Sequence, residues 1–129
     1  MNYKSVKVPE EAEELKVQFK NWKEGRIEDK VGFFPIWNDF KEYLSYNSGL
    51  SGGALRLYLF LGLVSKNKTG ESFYSVKRLA SELECSKRSI HKWLKELKSK
   101  ELIDRVASES MNSVTFTILL PYPNDNDTK

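Results

Sequence analysis

The sequence predicts an α+β protein that is mainly α-helical and has a helical extension at its N-terminal end. Two observations lead to this fold class. Apolar residues recur at helical spacing in several stretches before residue 100, and two short stretches with a strand-like pattern follow them. The chain has 129 residues, of which 40% are hydrophobic and 30% charged. It therefore has room for one folded domain and its extension.

A first helix is predicted over residues 9–23, where a proline suits the first turn and glutamates complement the positive end of the helix dipole. Leu15, Phe19 and Trp22 belong to its apolar stripe. The stripe is compatible with packing on the same chain and, equally, with contact between two copies in a dimer. Gly25 is expected to end the helix.

Residues 31–46 are densely aromatic. Pro35 is placed to start a short helix with Ile36, Phe40 and Leu44 on its inner face. Most of the aromatic rings are therefore expected in the core. The alternative is that they stack on the bases of single-stranded nucleic acid, which the lack of interleaved basic residues disfavours.

A central helix is predicted after Ser51, whose hydroxyl can cap it. Apolar residues surround much of its cylinder, which is typical of a buried helix. A short extended stretch, residues 72–74, precedes a further helix over residues 76–83 that Ser75 can cap. The apolar residues of the central helix are Leu55, Tyr58, Leu59, Leu61, Leu63 and Val64.

Only Glu84, Cys85 and Ser86 separate this helix from the next one. So tight a link makes two short amphipathic helices cross steeply, and one face of the second then projects outward. Ser86 can cap that second helix, residues 86–98. Its predicted inner face carries Ile90, Trp93, Leu94 and Leu97, and its outer face is basic.

A β-hairpin is predicted after these helices, with strands over residues 102–107 and 113–120. In the second strand Val114, Phe116 and Ile118 are expected to point inward. Helix, turn, helix and hairpin in this order form a winged helix-turn-helix. The predicted organisation is an extension over residues 1–48, the winged helix-turn-helix domain over 49–121 and an acidic tail over 122–129.

One pattern of residues runs through this segment: Leu50-Ser51, Ser75, Leu79-Ala80, Leu83, Ser86, Arg88-Ser89-Ile90, Leu94, Leu97 and Leu102-Ile103. In this pattern the segment resembles the winged-helix modules of bacterial, plasmid and phage regulators and of replication-initiation proteins. The resemblance spans about residues 50–120. Where such modules often have glycine, this chain has Glu84 and Glu101, so those turns are expected to be strained or shaped differently.

The distribution of charge indicates which surface meets a ligand. The net charge is only +3, but residues 72–105 have nine Lys or Arg against five Asp or Glu. A major groove about 12 Å wide admits one α-helix, so helix 86–98 is predicted to recognise double-stranded DNA there. Base contacts are predicted for Lys87, Arg88, Ser89, His91 and Lys92, phosphate contacts for Lys95 and Lys98, and further DNA contacts for Ser75, Lys77, Ser86 and Asn112.

The biological role has alternatives within and outside DNA binding. The resemblance implies a transcription regulator or a plasmid or phage replication or partition factor, and a homodimer in either case. A module that docks a replication or partition protein through its aromatic N-terminal third is the other hypothesis. The basic face is also compatible with a merely solvated helix surface.

Other classes of protein are disfavoured by what the sequence lacks. No Ser-His-Asp set, glycine-rich phosphate loop or metal-ligand spacing is present, which argues against an enzyme, a cofactor and a metal site. With Cys85 as the only cysteine, no internal disulfide can form. No apolar stretch reaches the roughly 20 residues that span a bilayer, so the protein is expected in the cytoplasm, associated with the nucleoid or a plasmid.

Overall fold

The structure is a computed structural model that describes residues 6–107 and 115–123. The chain divides into two compact units, residues 1–33 and 34–129. Three sequence predictions fall outside the described residues: the inward side chain of Val114, the DNA contact of Asn112 and the part of the acidic tail beyond residue 123.

The first unit is built on one long helix, α1 (Pro9–Glu28). The prediction that Gly25 ends this helix is wrong, since a single glycine in a helix costs only about 1 kcal/mol relative to alanine and the turns around it continue. The helix ends instead where Lys30 adopts a left-handed backbone with φ 56°. The N–H groups of Lys30 and Val31 then donate to carbonyls of the last turn, at 3.0 and 3.1 Å.

No residue of α1 is buried. The predicted apolar stripe is therefore an exposed surface, with Phe19 61% and Trp22 58% exposed. The rings of these two residues lie 5.6 Å apart. The first unit thus presents aromatic surface that its own helix does not cover.

Among its described residues, the second unit contains three α-helices, two 3-10 helices and a three-stranded sheet. The strands run antiparallel in the order β1-β3-β2. Helices and strands follow one another as the sequence predicts, so the fold class, a mainly α-helical winged helix-turn-helix, is confirmed. The elements are two 3-10 helices (Asn38–Leu44 and Tyr46–Ser48), α2 (Gly52–Val64), β1 (Glu71–Ser72), α3 (Val76–Glu82), α4 (Lys87–Ser99), β2 (Ile103–Ala107) and β3 (Thr115–Leu119).

Helix α2 lies at the centre of this unit but buries only one stripe. Ser51 caps it as predicted, its hydroxyl accepting from the Ala54 N–H at 3.1 Å. Leu57, Tyr58 and Leu61 are buried, whereas Leu59 and Leu63 are exposed. The prediction of an all-round buried helix is wrong for those two, because positions 59 and 63 lie on the face opposite the stripe.

The aromatic segment before α2 also differs from its prediction. Pro35 does not begin an α-helix; a 3-10 helix begins three residues later, at Asn38. Three residues per turn align Phe40 with Tyr43, and Phe40 stacks on the Tyr58 ring at 5.0 Å. Ile36 and Leu44, predicted on the inner face, are exposed. Ile36 precedes the 3-10 helix, and within that helix the period of three residues places Leu44 off the face that carries Phe40 and Tyr43.

The side of the hairpin strand that faces the core is the reverse of the predicted one. Thr117 is buried, while Phe116 and Ile118 are only half-buried. In the observed register Ile103 pairs with Leu119, and Ile103 is part of the core. Because side chains alternate along a strand, this pairing turns residues 115, 117 and 119 inward.

Candidate nucleic-acid interface

The turn between α3 and α4 fixes the angle at which the second helix leaves the first. Glu84 has φ 53°, which gives the helix end a left-handed residue. Its N–H donates to the Ser81 carbonyl at 3.3 Å, and the Cys85 N–H donates to the Ala80 carbonyl at 3.0 Å. These two bonds close α3 in a Schellman motif.

Both predicted caps of the motif are confirmed. The Ser75 hydroxyl accepts from the Arg78 N–H at 3.1 Å at the start of α3. The Ser86 hydroxyl accepts from the Ser89 N–H at the start of α4 and donates to the Ser89 hydroxyl, both at 3.0 Å. Each serine therefore holds a helix start as well as lying on the surface where a DNA contact is predicted.

The two glutamates that stand where winged-helix modules often have glycine both adopt a left-handed backbone conformation. Glu101 has φ 57° after α4, as Glu84 has after α3. Its N–H donates to the Lys98 carbonyl at 2.9 Å, and the Leu102 N–H donates to that of Leu97 at 3.1 Å. A side chain in this conformation costs roughly 1–2 kcal/mol, so both turns are strained.

Replacing Glu84 by glycine is expected to stabilise the protein. Relief of the left-handed strain outweighs the entropy that glycine loses on folding, so the free energy of unfolding should rise by about 0.5–1 kcal/mol in urea denaturation. Ser81→Gly, inside α3, is the control and should lower it by about 0.5 kcal/mol. A destabilised Glu84→Gly variant would contradict the assigned backbone conformation.

The inner face of α4 is anchored in the core. Ile90, Leu94 and Leu97 are buried as predicted. Trp93 is half-buried against Gly53, where a Cβ would collide with the indole ring.

A carboxylate also ties α4 to α2, because Glu96 accepts from the Ser51 N–H at 2.6 Å and from its hydroxyl at 3.1 Å. The start of α2 thus receives a negative charge, which suits its positive dipole end. A second link joins α2 to the C-terminal end of α3, where the Arg56 guanidinium of α2 donates to the Leu83 carbonyl at 2.8 Å. The helix-turn-helix is thus held to α2 from two sides.

The outer face of α4 carries unpaired positive charge. Lys87, Arg88, Lys92 and Lys95 are exposed, and none has an acidic side chain within 4.0 Å in the part of the chain that the structure describes. His91 lies on the same exposed face. Lys98 is also exposed but pairs with Asp104 at 3.7 Å. The structure therefore brings these predicted contacts together on one helix surface.

The start of α3 adds a second group of polar residues to this surface region. Ser75 and Lys77 are exposed, as the predicted contacts require. Arg78, which sequence reasoning did not single out, stacks on the Tyr74 ring at 4.1 Å and pairs with Glu82 at 3.9 Å. Its place one turn after the cap is the signal that could have identified it.

Arg105 is the other cation that the sequence analysis missed. It lies in β2 and is half-buried, and its Nη1 donates to the Thr117 hydroxyl at 2.7 Å and to the Tyr74 carbonyl at 3.5 Å. Desolvation by burial lowers the pKa of its guanidinium from the ordinary value. The sequence signal that could have identified Arg105 is an arginine inside a predicted strand of the hairpin.

The described residues offer neither a metal-binding cluster nor a helix that could span a membrane. Within residues 6–107 and 115–123, no group of three or more His, Cys, Asp or Glu could hold a metal ion. None of the helices in the described part of the chain combines the length and the apolar content that crossing a bilayer requires.

Comparison with known proteins agrees with this architecture. A structure described as the N-terminal domain of a DNA binding protein is 21% identical, with a TM-score of 0.53 over 80% of this chain and 86% of that one. A structure described as a Rep–DNA complex is 20% identical, with a TM-score of 0.51 over the same shares. No curated protein sequence matches the chain significantly. Residues 48–103 match the family model of the helix-turn-helix domain, and with the hairpin that follows they make this part of the chain a winged helix-turn-helix.

Proposed function

We propose that the protein binds double-stranded DNA by inserting α4 into the major groove. The observation that carries the proposal is the division of α4 into a buried apolar face and an exposed face whose cations lack acidic partners among the described residues. Such a surface attracts phosphates and leaves its side chains free to reach base edges. The helix-turn-helix family match supports the same function.

Roles within the interface follow from position along the helix. Side chains from the first two turns of a recognition helix reach base edges, and later ones reach phosphates. We therefore assign base contacts to the first turns and phosphate contacts to Lys95 and Lys98. Ser75, Lys77, Ser86 and Asn112 are proposed to contact the duplex at its margins. The proposed base contacts are Lys87, Arg88, Ser89, His91 and Lys92.

The proposed biological role is the control of replication or of transcription on nucleoid or plasmid DNA. The similarity in fold to a structure described as a Rep–DNA complex favours replication. The proposed domain organisation places DNA binding in residues 49–121 and association in the extension over residues 1–48, of which residues 34–48 belong to the second compact unit. The acidic segment over residues 122–129 is proposed as a tail, although its first residue, Tyr122, packs on the Phe40 ring at 5.2 Å.

Salt dependence tests DNA binding directly. Sites are first selected from random duplex DNA, and the affinity of the full chain for a selected site is then measured at increasing salt. Four to six phosphate contacts per subunit, at about −0.9 each, predict a log-log slope of about −4 to −5 per bound subunit. The absence of a selected site and of salt dependence would overturn the proposal and favour the protein-docking hypothesis instead.

A homodimer is proposed to form through the apolar stripe of α1. Leu15, Phe19 and Trp22 are exposed, and the first unit has a groove of about 390 Å³ lined by aromatic and aliphatic side chains. One recognition helix covers only a few base pairs, so two half-sites about 34–36 Å apart would supply the needed affinity. The aromatic lining of the groove comprises Phe19, Trp22 and Phe33.

Phe19→Glu is expected to convert the dimer into a monomer. A charge within an apolar interface is desolvated without a partner, which costs several kcal/mol. Sedimentation velocity of the full chain measures the result. Val17→Glu is the matched control, since Val17 is exposed on another side of α1 and should leave the dimer intact. A dimer that survives Phe19→Glu would refute the role of this stripe.

A further inference from the structure

Three polar residues form a row across the inner face of the sheet. Thr117 in β3 pairs with Ser72 of β1 on one side and with Arg105 of β2 on the other. Ser72 and Thr117 are only 3% and 1% exposed. Because paired residues in a sheet point to the same side, the Arg105 side chain starts from a buried polar row and extends toward the helices.

The Arg105 guanidinium is held in place but its charge is not neutralised. Its two hydrogen bonds go to neutral oxygens, the Thr117 hydroxyl and the Tyr74 carbonyl. No carboxylate of the described ranges, 6–107 and 115–123, lies within 4.0 Å of it. The neighbouring Asp104 accepts from the backbone N–H of Arg105 at 2.8 Å and pairs with Lys98 instead.

A bound anion would compensate the half-buried charge of Arg105. Its burial disfavours the charged form, which the lowered pKa of Arg105 expresses. A guanidinium has five N–H donors in a planar fork that matches phosphate oxygens. Toward the residues that the structure describes, only one nitrogen, Nη1, donates hydrogen bonds, and we assign the remaining donors to an anion.

The Arg105 guanidinium lies next to the start of the helix-turn-helix. Tyr74, whose carbonyl Arg105 approaches, directly precedes Ser75, the cap of α3. The Arg78 guanidinium stacks on the ring of the same tyrosine. Two arginines therefore flank Tyr74 at the junction between the hairpin stem and the first turn of α3, close to the exposed Lys77.

We propose that Arg105 binds a phosphate of the DNA backbone at this junction. The inference rests on the proposed DNA binding and adds to it a contact from the stem of the wing. Asn112 was the only contact that the sequence analysis predicted from the hairpin, and the inference adds one from β2. A phosphate there would complete the coordination of the guanidinium and fix the position of the duplex relative to α3 and α4.

Arg105→Gln is the first test, with affinity for a selected duplex measured over a range of salt. Loss of one phosphate contact should, per bound subunit, weaken binding by about tenfold and reduce the magnitude of the log-log slope by about 0.9. A residue that only holds the wing in place would change affinity without changing the slope. Thermal unfolding of the variant establishes that the comparison is made between folded proteins.

Two further variants complete the design. Arg105→Lys keeps the charge but lacks the fork, so it should retain the slope and lose at least about threefold in affinity; it also serves if Arg105→Gln does not fold. Lys41→Gln removes an exposed cation from the 3-10 helix. The neighbours of Lys41, Glu42 and Tyr43, line a pocket with Ser99 and Lys100 at the far end of α4, so Lys41→Gln should bind as the parent does.

The outcomes separate this inference from the proposed function. If the parent protein binds a selected duplex with a steep salt dependence and Arg105→Gln keeps both affinity and slope, the phosphate contact is refuted and DNA binding stands. Parental affinity of Arg105→Lys would likewise refute recognition through the fork. If the parent itself shows no salt-dependent binding, the proposed function fails and the inference fails with it.

Discussion

Replacing Arg88 by alanine is expected to weaken binding to a selected duplex by about 1–3 kcal/mol without changing thermal stability. Arg88 is exposed in the first turn of α4, and no described carboxylate lies within 4.0 Å of it. A guanidinium in that position is suited to a bidentate contact with a guanine edge. Its loss removes a base contact and leaves the apolar face of the helix untouched.

The pattern of specificity distinguishes a base contact from a phosphate contact. Arg88→Ala should relax sequence preference at one position of the selected site, which competition with single-base variants of that site measures. Lys95→Ala should weaken binding to all sequences alike and reduce the salt slope by about 0.9. A uniform loss across sequences in Arg88→Ala would reassign Arg88 to the phosphates.

A matched control lies on the same helix. Lys100 follows the last turn of α4 and is exposed. About 1.5 Å of rise per residue places it roughly 18 Å along the axis from Arg88, beyond the reach of the proposed base contacts. Lys100→Ala should therefore bind as the parent does. Unchanged affinity of Arg88→Ala, measured beside this control, would remove the proposed role of the outer face.

The two faces of α4 could be predicted because the 3.6-residue period of a helix places its apolar residues on one face and its basic residues on the opposite face. Ile90, Leu94 and Leu97 are buried, and Arg88 and Lys92 are exposed, as the spacing indicates. The serine caps were predictable for a similar local reason, since a hydroxyl before a helix accepts from the N–H groups of its first turn. Signals of this kind depend only on residues within one or two turns.

The features that the sequence did not predict depend on partners distant in the chain. Alternation along β3 is compatible with two opposite orientations, and the pairing of Ile103 with Leu119 decides between them. Arg105 resembles a solvent-facing strand residue until its bond to Thr117, twelve positions away, is known. In the aromatic segment the helix begins only at Asn38, so Ile36 lies outside it. Its period of three residues places Leu44 off the buried face of Phe40.

Leu94→Ala is expected to lower the free energy of unfolding by about 2–5 kcal/mol. Leu94 is 8% exposed on the inner face of α4 and belongs to the core of the second unit. Truncation removes buried apolar surface and leaves a cavity that the surrounding helices can only partly fill. Urea denaturation measures the change. Lys95→Ala, at the next and exposed position, is the control and should shift stability by less than about 0.5 kcal/mol.

The Leu94 and Arg88 variants together test the division of α4 into a buried apolar face and an exposed basic face. If the apolar face holds α4 and the basic face meets the ligand, Leu94→Ala should lose stability yet retain most of its affinity per folded molecule. Binding measured at low temperature, where the folded fraction is known from denaturation, gives that intrinsic affinity. Parental stability in Leu94→Ala would mean that α4 is rotated about its axis, because a leucine outside the core can be truncated without leaving a cavity.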